Sequence, residues 1–201
     1  MSKQSLILDF DGVLARTMIP LIDFLQKEFH VSRSRALGLV VKAAMNNPKK
    51  PFSARIRHFE GRRFLTFLRS HHLSEQLLTP FFELIVGLDC PKAILTSNYQ
   101  QLCEFVLGPQ QSSFEAIIGL DQVNNKTQGL DLIFQNPLFD RDKTLLVTDT
   151  VGDILEFQRQ FDNCQILAAS WGFHPLPLLQ EVLPSSQILQ SPEDILRWLD
   201  I

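Results

Sequence analysis

The stretch Leu6-Ile7-Leu8-Asp9-Phe10-Asp11-Gly12-Val13-Leu14 constrains the chain more than any other. Three consecutive aliphatics predict a buried parallel strand. Packing gives no reason to end such a strand in two acids, since burying each carboxylate costs several kcal/mol unless something neutralises it. Alternation along an extended chain sends Asp9 and Asp11 to one side and Phe10 to the other. Gly12 then permits a tight turn. Two readings follow. One is a solvated turn, for which Asp and Gly are common. The other is a pair of carboxylates converging at the C-terminal edge of a sheet, where open α/β folds bind ligands and where Mg²⁺ would relieve their repulsion. A calcium loop of the EF-hand type fits poorly, because Val13 and Leu14 stand where an acid or amide and a glycine are needed.

A second acidic pair favours the site. Thr144-Leu145-Leu146-Val147-Thr148-Asp149 is another short apolar run that closes on a carboxylate, and Asp153 follows it. The stripe Ile154, Leu155, Phe157 and Phe161 has helical spacing, which puts Asp153 in the first turn of a helix. Asp153 alone fits simple complementarity with a helix N-terminus. That does not explain two strands that both end in acids.

Two more candidates lie between the pairs. Ala93-Ile94-Leu95 runs into Thr96-Ser97-Asn98, where a hydroxyl opens a helix. Thr96 or Ser97 suits a helix N-cap, and the same geometry makes an anion site. Lys126 follows the apolar run from Phe114 to Leu120 and reads as a loop lysine, solvated when taken alone.

Taken in order, acid pair, hydroxyl, lysine and acid pair resemble the haloacid dehalogenase superfamily of phosphohydrolases over essentially the whole chain. Asp9 to Leu14 looks like the first motif of that family, Thr96 the second, Lys126 the third, and Asp149 with Asp153 the fourth. Ala169-Ser170-Trp171-Gly172-Phe173-His174 looks like the segment after the fifth strand in the phosphoglycolate-phosphatase-like branch. Three positions depart from the pattern. Thr148 stands where glycine is usual, Thr127 where proline often follows the lysine, and Arg16 where small or acidic residues are common.

The resemblance implies an α/β doubly wound parallel sheet, a Rossmann-like core, with an inserted all-helical cap. It also implies roles. Asp9 would be the nucleophile that forms an aspartyl-phosphate. Asp11 would be the general acid and then the base. Thr96 and the Ser97 N–H would bind phosphoryl oxygens, and Lys126 would neutralise them. Mg²⁺ would be held by Asp9, the Asp11 carbonyl, Asp149 and Asp153, the last directly or through water. The implied partner is a small phosphorylated substrate. A phosphomutase, or a non-catalytic regulatory or binding protein on the same fold, are the alternatives.

Periodicity agrees with this layout. Residues 18–88 carry helical stripes and no strand signal: Leu21, Ile22, Phe24, Leu25 and Phe29; then Ala36, Leu39, Val40 and Ala43; then Ile56, Phe59, Phe64, Phe67 and Leu68, with Gly61 as a candidate break; then Leu77, Leu78, Phe81, Phe82 and Ile85. Asn46-Asn47-Pro48-Lys49-Lys50-Pro51 is a breaker. We therefore expect a core from residues 1–15 and 89–201 and a helical cap over 16–88, the position of a mobile cap in that family.

Charge divides the same way. Residues 15–85 hold 12 Lys and Arg against 5 Asp and Glu, and the remainder holds 7 against 17. A basic cap over an acidic floor suits an anionic substrate, and a solvated helical face is the plainer account. Arg55, Arg57, His58, Arg62 and Arg63 crowd one predicted helix, facing either solvent or the cleft. Nucleic acid is not expected as a partner: the chain has no recognition motif, and its isoelectric point is near 5.9. A membrane is not expected either, because no apolar run approaches the ~20 residues of a span. Three scattered cysteines, Cys90, Cys103 and Cys164, give no disulfide or zinc framework, so a cytoplasmic home is the simplest expectation.

Overall fold

A computed structural model describes residues 4–44, 54–119, 121–161 and 164–199, with the side chains of 41–44 and 54–60 outside that description. The strands are β1 (Ser5–Leu8), β2 (Lys92–Thr96), β3 (Ala116–Gly119), β4 (Thr144–Thr148), β5 (Gln165–Ala169) and β6 (Ile188–Leu189). They form one sheet in the order β3-β2-β1-β4-β5-β6, with every pairing parallel. This is the doubly wound arrangement expected from the sequence. Both faces are covered, which explains why the strands read as continuous apolar runs. Leu6, Leu8, Ile94, Leu145, Val147 and Leu167 pack on one side, joined by Phe10 just past the end of β1. Ile7, Ala93, Leu95, Leu146, Ile166 and Ala168 pack on the other.

Helices α6 (Lys126–Ile133), α7 (Val151–Gln160) and α8 (Leu176–Gln180) cover the second face through Leu130, Ile133, Ile154, Phe157 and Leu179. Helix α5 (Gln100–Leu107) covers the first through Leu102, Cys103, Val106 and Leu107. Helices α1 (Met18–Phe29), α2 (Arg33–Ala44) and α3 (Ala54–Ser70) form the insert after β1. Phe24, Phe64 and Phe67 stack against one another inside it, with centroids 5.4 to 6.4 Å apart.

Gly61 does not break α3, which runs unbroken from Ala54 to Ser70. Its hydrogen side chain lets the helix approach Tyr99, since a Cβ there would lie 3.3 Å from the Tyr99 Cβ. The fourth stripe of the insert divides into a short turn at Glu75–Leu77 and a helix α4 (Pro80–Val86). Phe81 of α4 contacts the Trp171 ring at 5.2 Å, and Phe82 stacks on Phe114 at 6.3 Å. Helix α4 therefore packs against residues of the sheet unit through these two rings. The segment Asn46 to Pro51 lies outside the described residues.

The chain leaves and re-enters the sheet unit side by side. Ala15 forms an antiparallel bridge with Leu78, Arg16 N donates to Leu77 O at 2.7 Å, and Thr79 N donates to Leu14 O at 2.9 Å. The Thr79 hydroxyl caps α4 by accepting from Phe82 N and donates to Val13 O at 3.0 Å. No described helix is long and apolar enough to cross a membrane.

Candidate active site

The sheet order reverses between β1 and β4, the crevice where doubly wound sheets place ligands. Leu8 pairs with Val147, so Asp9 and Asp149 emerge from adjacent strand ends. Asp9 N donates to Val147 O at 2.8 Å, and Phe10 N turns back to Asp9 Oδ1 at 2.7 Å.

Lys126 is not a solvated loop residue. Asn125 caps α6 by accepting from Gln128 N, which makes Lys126 the first residue of that helix, and its side chain is 3% exposed. A cation at a helix N-terminus is disfavoured by the dipole. Two carboxylates offset that: Lys126 Nζ lies 2.7 Å from Asp9 Oδ2 and 2.7 Å from Asp153 Oδ2. Burial alone would lower the Lys126 pKa, but Asp153 and Asp9 outweigh it and raise it above the ordinary lysine value. The same burial raises Asp9 well above the usual carboxylate range, with Lys126 opposing. For Asp153, burial pushes upward but Lys126 wins, and the pKa falls. The Thr150 hydroxyl caps α7, accepting from Asp153 N at 3.4 Å, and this places Asp153 in the first turn as expected.

Asp149 is fully buried. Gly12, with φ at +82°, and Gly172 form the walls around its carboxylate; a Cβ on either would collide with Asp149 Oδ2. Phe173 N donates to Asp149 Oδ2 at 2.5 Å. Asp149 Oδ1 has no hydrogen-bond partner among the described residues. Burial, opposed by that Phe173 N–H, raises the Asp149 pKa to about 7.

Asp11 sits opposite. Thr96 Oγ1 donates to its Oδ2 at 3.2 Å and Asn98 Nδ2 to its Oδ1 at 3.3 Å. Burial lifts the Asp11 pKa, and these donors oppose the rise. Asn98 is held on both sides: its N–H donates to Thr96 Oγ1 at 2.9 Å, and its Oδ1 accepts from Tyr99 N at 2.8 Å. Ser97 is exposed beside Thr96.

Asp9, Asp11, Thr96, Lys126, Asp149 and Asp153 thus meet in one place. Asn98, Thr148 and the Phe173 N–H join them, three groups to which no sequence motif gives a role. Thr148 Oγ1 donates to Asp153 Oδ2 at 3.0 Å, with Asp9 Oδ2 at 3.5 Å. Thr127 uses its N–H and hydroxyl to hold Glu156 of α7. Arg16 is exposed. In α3, Arg62 Nε donates to the Tyr99 hydroxyl at 2.9 Å, and Arg63 pairs with Glu28. The side chains of Arg55, Arg57 and His58 lie outside the described residues.

Among the described residues no three His, Cys, Asp or Glu side chains cluster as a metal cage. Mg²⁺ needs less: one or two carboxylates, with waters and substrate phosphate completing its shell. The orphaned Asp149 Oδ1 next to Asp9 fits that requirement.

No protein-family model and no curated protein matches the sequence. Solved structures do match over nearly the full chain. A candidate phosphoglycolate phosphatase from Lactobacillus plantarum superposes with TM-score 0.75 at 21% identity, covering 99% of this chain and 100% of that one. A haloacid dehalogenase-like hydrolase from Streptococcus pneumoniae gives 0.72 at 17% identity over 98% of both chains. A mutant of CbbY from Rhodobacter sphaeroides, in complex with xylulose-(1,5)bisphosphate, gives 0.71 at 16% identity, covering 99% and 100%. The chain has the fold of haloacid dehalogenase-like phosphatases.

Proposed function

We propose that the chain is a phosphatase that hydrolyses a small phosphorylated metabolite through an aspartyl-phosphate, in the cytoplasm. The observation that carries this reading is the buried Lys126, shared between Asp9 and Asp153 at 2.7 Å each beside a second strand-end acid, Asp149. One buried cation cannot balance three such acids, and burial together with that imbalance raises the pKa values of Asp9 and Asp149; an additional cation would relieve the imbalance and so make room for an anionic phosphoryl group. The sugar bisphosphate in the CbbY complex supports the substrate class.

In this mechanism Asp9 attacks phosphorus and splits one hard displacement into two. Lys126 holds the Asp9 carboxylate and balances the charge brought by the substrate. Asp11, its pKa raised by burial, protonates the leaving alkoxide and later takes a proton from the attacking water. Asn98 orients Asp11, and the Thr96 hydroxyl, turning its one proton from Asp11 to the substrate, donates with the Ser97 N–H to phosphoryl oxygens. Asp9, the Asp11 carbonyl and Asp149 would hold Mg²⁺, with Asp153 directly or through water, while Asp153 also anchors Lys126. When bound, the ion would supply neutralisation of the phosphoryl oxygens.

The test is release of inorganic phosphate from para-nitrophenyl phosphate, with Mg²⁺ and with chelator, by the wild type and by Asp9→Asn. Metal-dependent release that the substitution abolishes supports the proposal. A variant that retains more than a few per cent of the rate removes Asp9 as nucleophile.

A further inference from the structure

We infer that the Thr148 hydroxyl is a positioning group for the attacking carboxylate, acting through Asp153 and Lys126. The inference rests on the proposed role of Asp9. Thr148 ends β4, is 1% exposed, and lies laterally beside Asp9 because Leu8 pairs with Val147. Four polar atoms close a ring there. Lys126 Nζ touches Asp9 Oδ2 and Asp153 Oδ2 at 2.7 Å each. Thr148 Oγ1 then completes the circuit, 3.0 Å from Asp153 Oδ2 and 3.5 Å from Asp9 Oδ2.

Proton accounting assigns the direction of each contact. A hydroxyl carries one proton, and the shorter contact gives it to Asp153. Its lone pairs remain to accept from Thr150 N, which approaches at 3.4 Å. Thr148 therefore ties the N-cap of α7 to the Asp153 carboxylate. Asp153 in turn fixes Lys126, and Lys126 fixes Asp9. Glycine, the residue usual at this position in the family that the sequence resembles, has no atom that could close the ring. The threonine is a feature of this chain, and its methyl and hydroxyl occupy space at a wholly buried strand end.

The consequence is kinetic. Without the hydroxyl, Asp153 keeps Lys126 but loses one of the hydrogen bonds that restrain its carboxylate. The ammonium then holds Asp9 over a wider range of positions. A hydrogen bond to a charged group of this kind corresponds to roughly a tenfold to hundredfold effect. Thr148 touches no substrate atom in this scheme, so binding should be spared.

The experiment compares Thr148→Val, which keeps the shape and removes the hydroxyl, with Thr148→Ser, which keeps the hydroxyl. For para-nitrophenyl phosphate, kcat of Thr148→Val should fall by roughly tenfold or more, with KM within about twofold, and Thr148→Ser should recover to within about threefold of the wild type. Chemical denaturation of the Thr148→Val, Asp153→Asn and double variants supplies a readout independent of activity. The valine substitution should lower the folding equilibrium constant by about tenfold in the native background and far less in the Asp153→Asn background. A wild-type kcat in Thr148→Val, or equal losses in the valine and serine variants, overturns the inference. If the wild type itself releases no phosphate, the proposed function falls and the kinetic claim with it, while the denaturation cycle still decides whether the hydroxyl is coupled to Asp153.

Discussion

Ionising Asp149 in the metal-free protein should weaken the fold, by an amount set by its surroundings. The carboxylate is buried, Asp153 and Asp11 add like charge, and the Phe173 N–H and Lys126 only partly oppose them. The resulting pKa of about 7 stands against an ordinary value of 3.8. Between about pH 4 and about pH 7 the folded chain therefore carries a proton on Asp149 that the unfolded chain has lost. The folded state binds more protons across this window, so its stability is full below about pH 4 and falls as the pH rises to about 7. The whole fall is worth about 4 kcal/mol. For a chain of this size that is about 10 °C in Tm. Asp9 is raised in the same direction and adds to the slope. Asp153, with a lowered pKa, acts only below its ordinary value and stays outside this window. The assay is thermal denaturation with chelator from pH 5 to pH 8, for the wild type and Asp149→Asn. The wild-type Tm should drop by several degrees across the range, and the variant should show a clearly shallower slope. Mg²⁺ should raise the wild-type Tm more at pH 8 than at pH 5, because its ligands must be deprotonated. Identical slopes in the two proteins would refute the reasoning.

Lys126→Met should cost about 3–5 kcal/mol in urea unfolding near neutral pH, since it strands two buried carboxylates, and a loss below 1 kcal/mol would mean that water already reaches the pair. Gly172→Ala places a methyl against Asp149 Oδ2; phosphatase activity should fall at least tenfold while circular dichroism stays native. Tyr99→Phe removes the acceptor of Arg62 Nε. Because this contact is partly exposed, stability should change by less than about 1 kcal/mol. Any shift in KM for a bulky phosphate ester relative to an aryl phosphate would then report coupling between this contact and the candidate site.

Strand ends are the legible part of the site. An apolar run that closes on Asp9 or Asp149 has no packing reason to do so, and sheet order alone brings the two together. Lys126 is legible as a residue but not as a buried one. Its burial depends on Asn125 capping α6 and on Asp153 arriving from another helix. Asn98, Thr148 and the Phe173 N–H escape a sequence reading because they act through an amide, a hydroxyl and a main-chain donor, groups found everywhere in a chain. Gly61 reads as a break because glycine weakens an isolated helix, but packing against Tyr99 decides the matter in the folded chain.

The bridge between Ala15 and Leu78 has a consequence for how such a chain can change. Neighbouring strands lie about 5 Å apart, so the two ends of the insert are already as close as the ends of a hairpin. Everything between them is, to the sheet unit, a closed loop whose length is nearly free: doubling it costs only about 0.6 kcal/mol in closure entropy. Helices can be added, lost or exchanged between these two points without rethreading a single strand. Because the gateway at Ala15 opens four residues after Asp11, each such exchange would redraw the surroundings of the candidate site while leaving the strand ends beneath it in register.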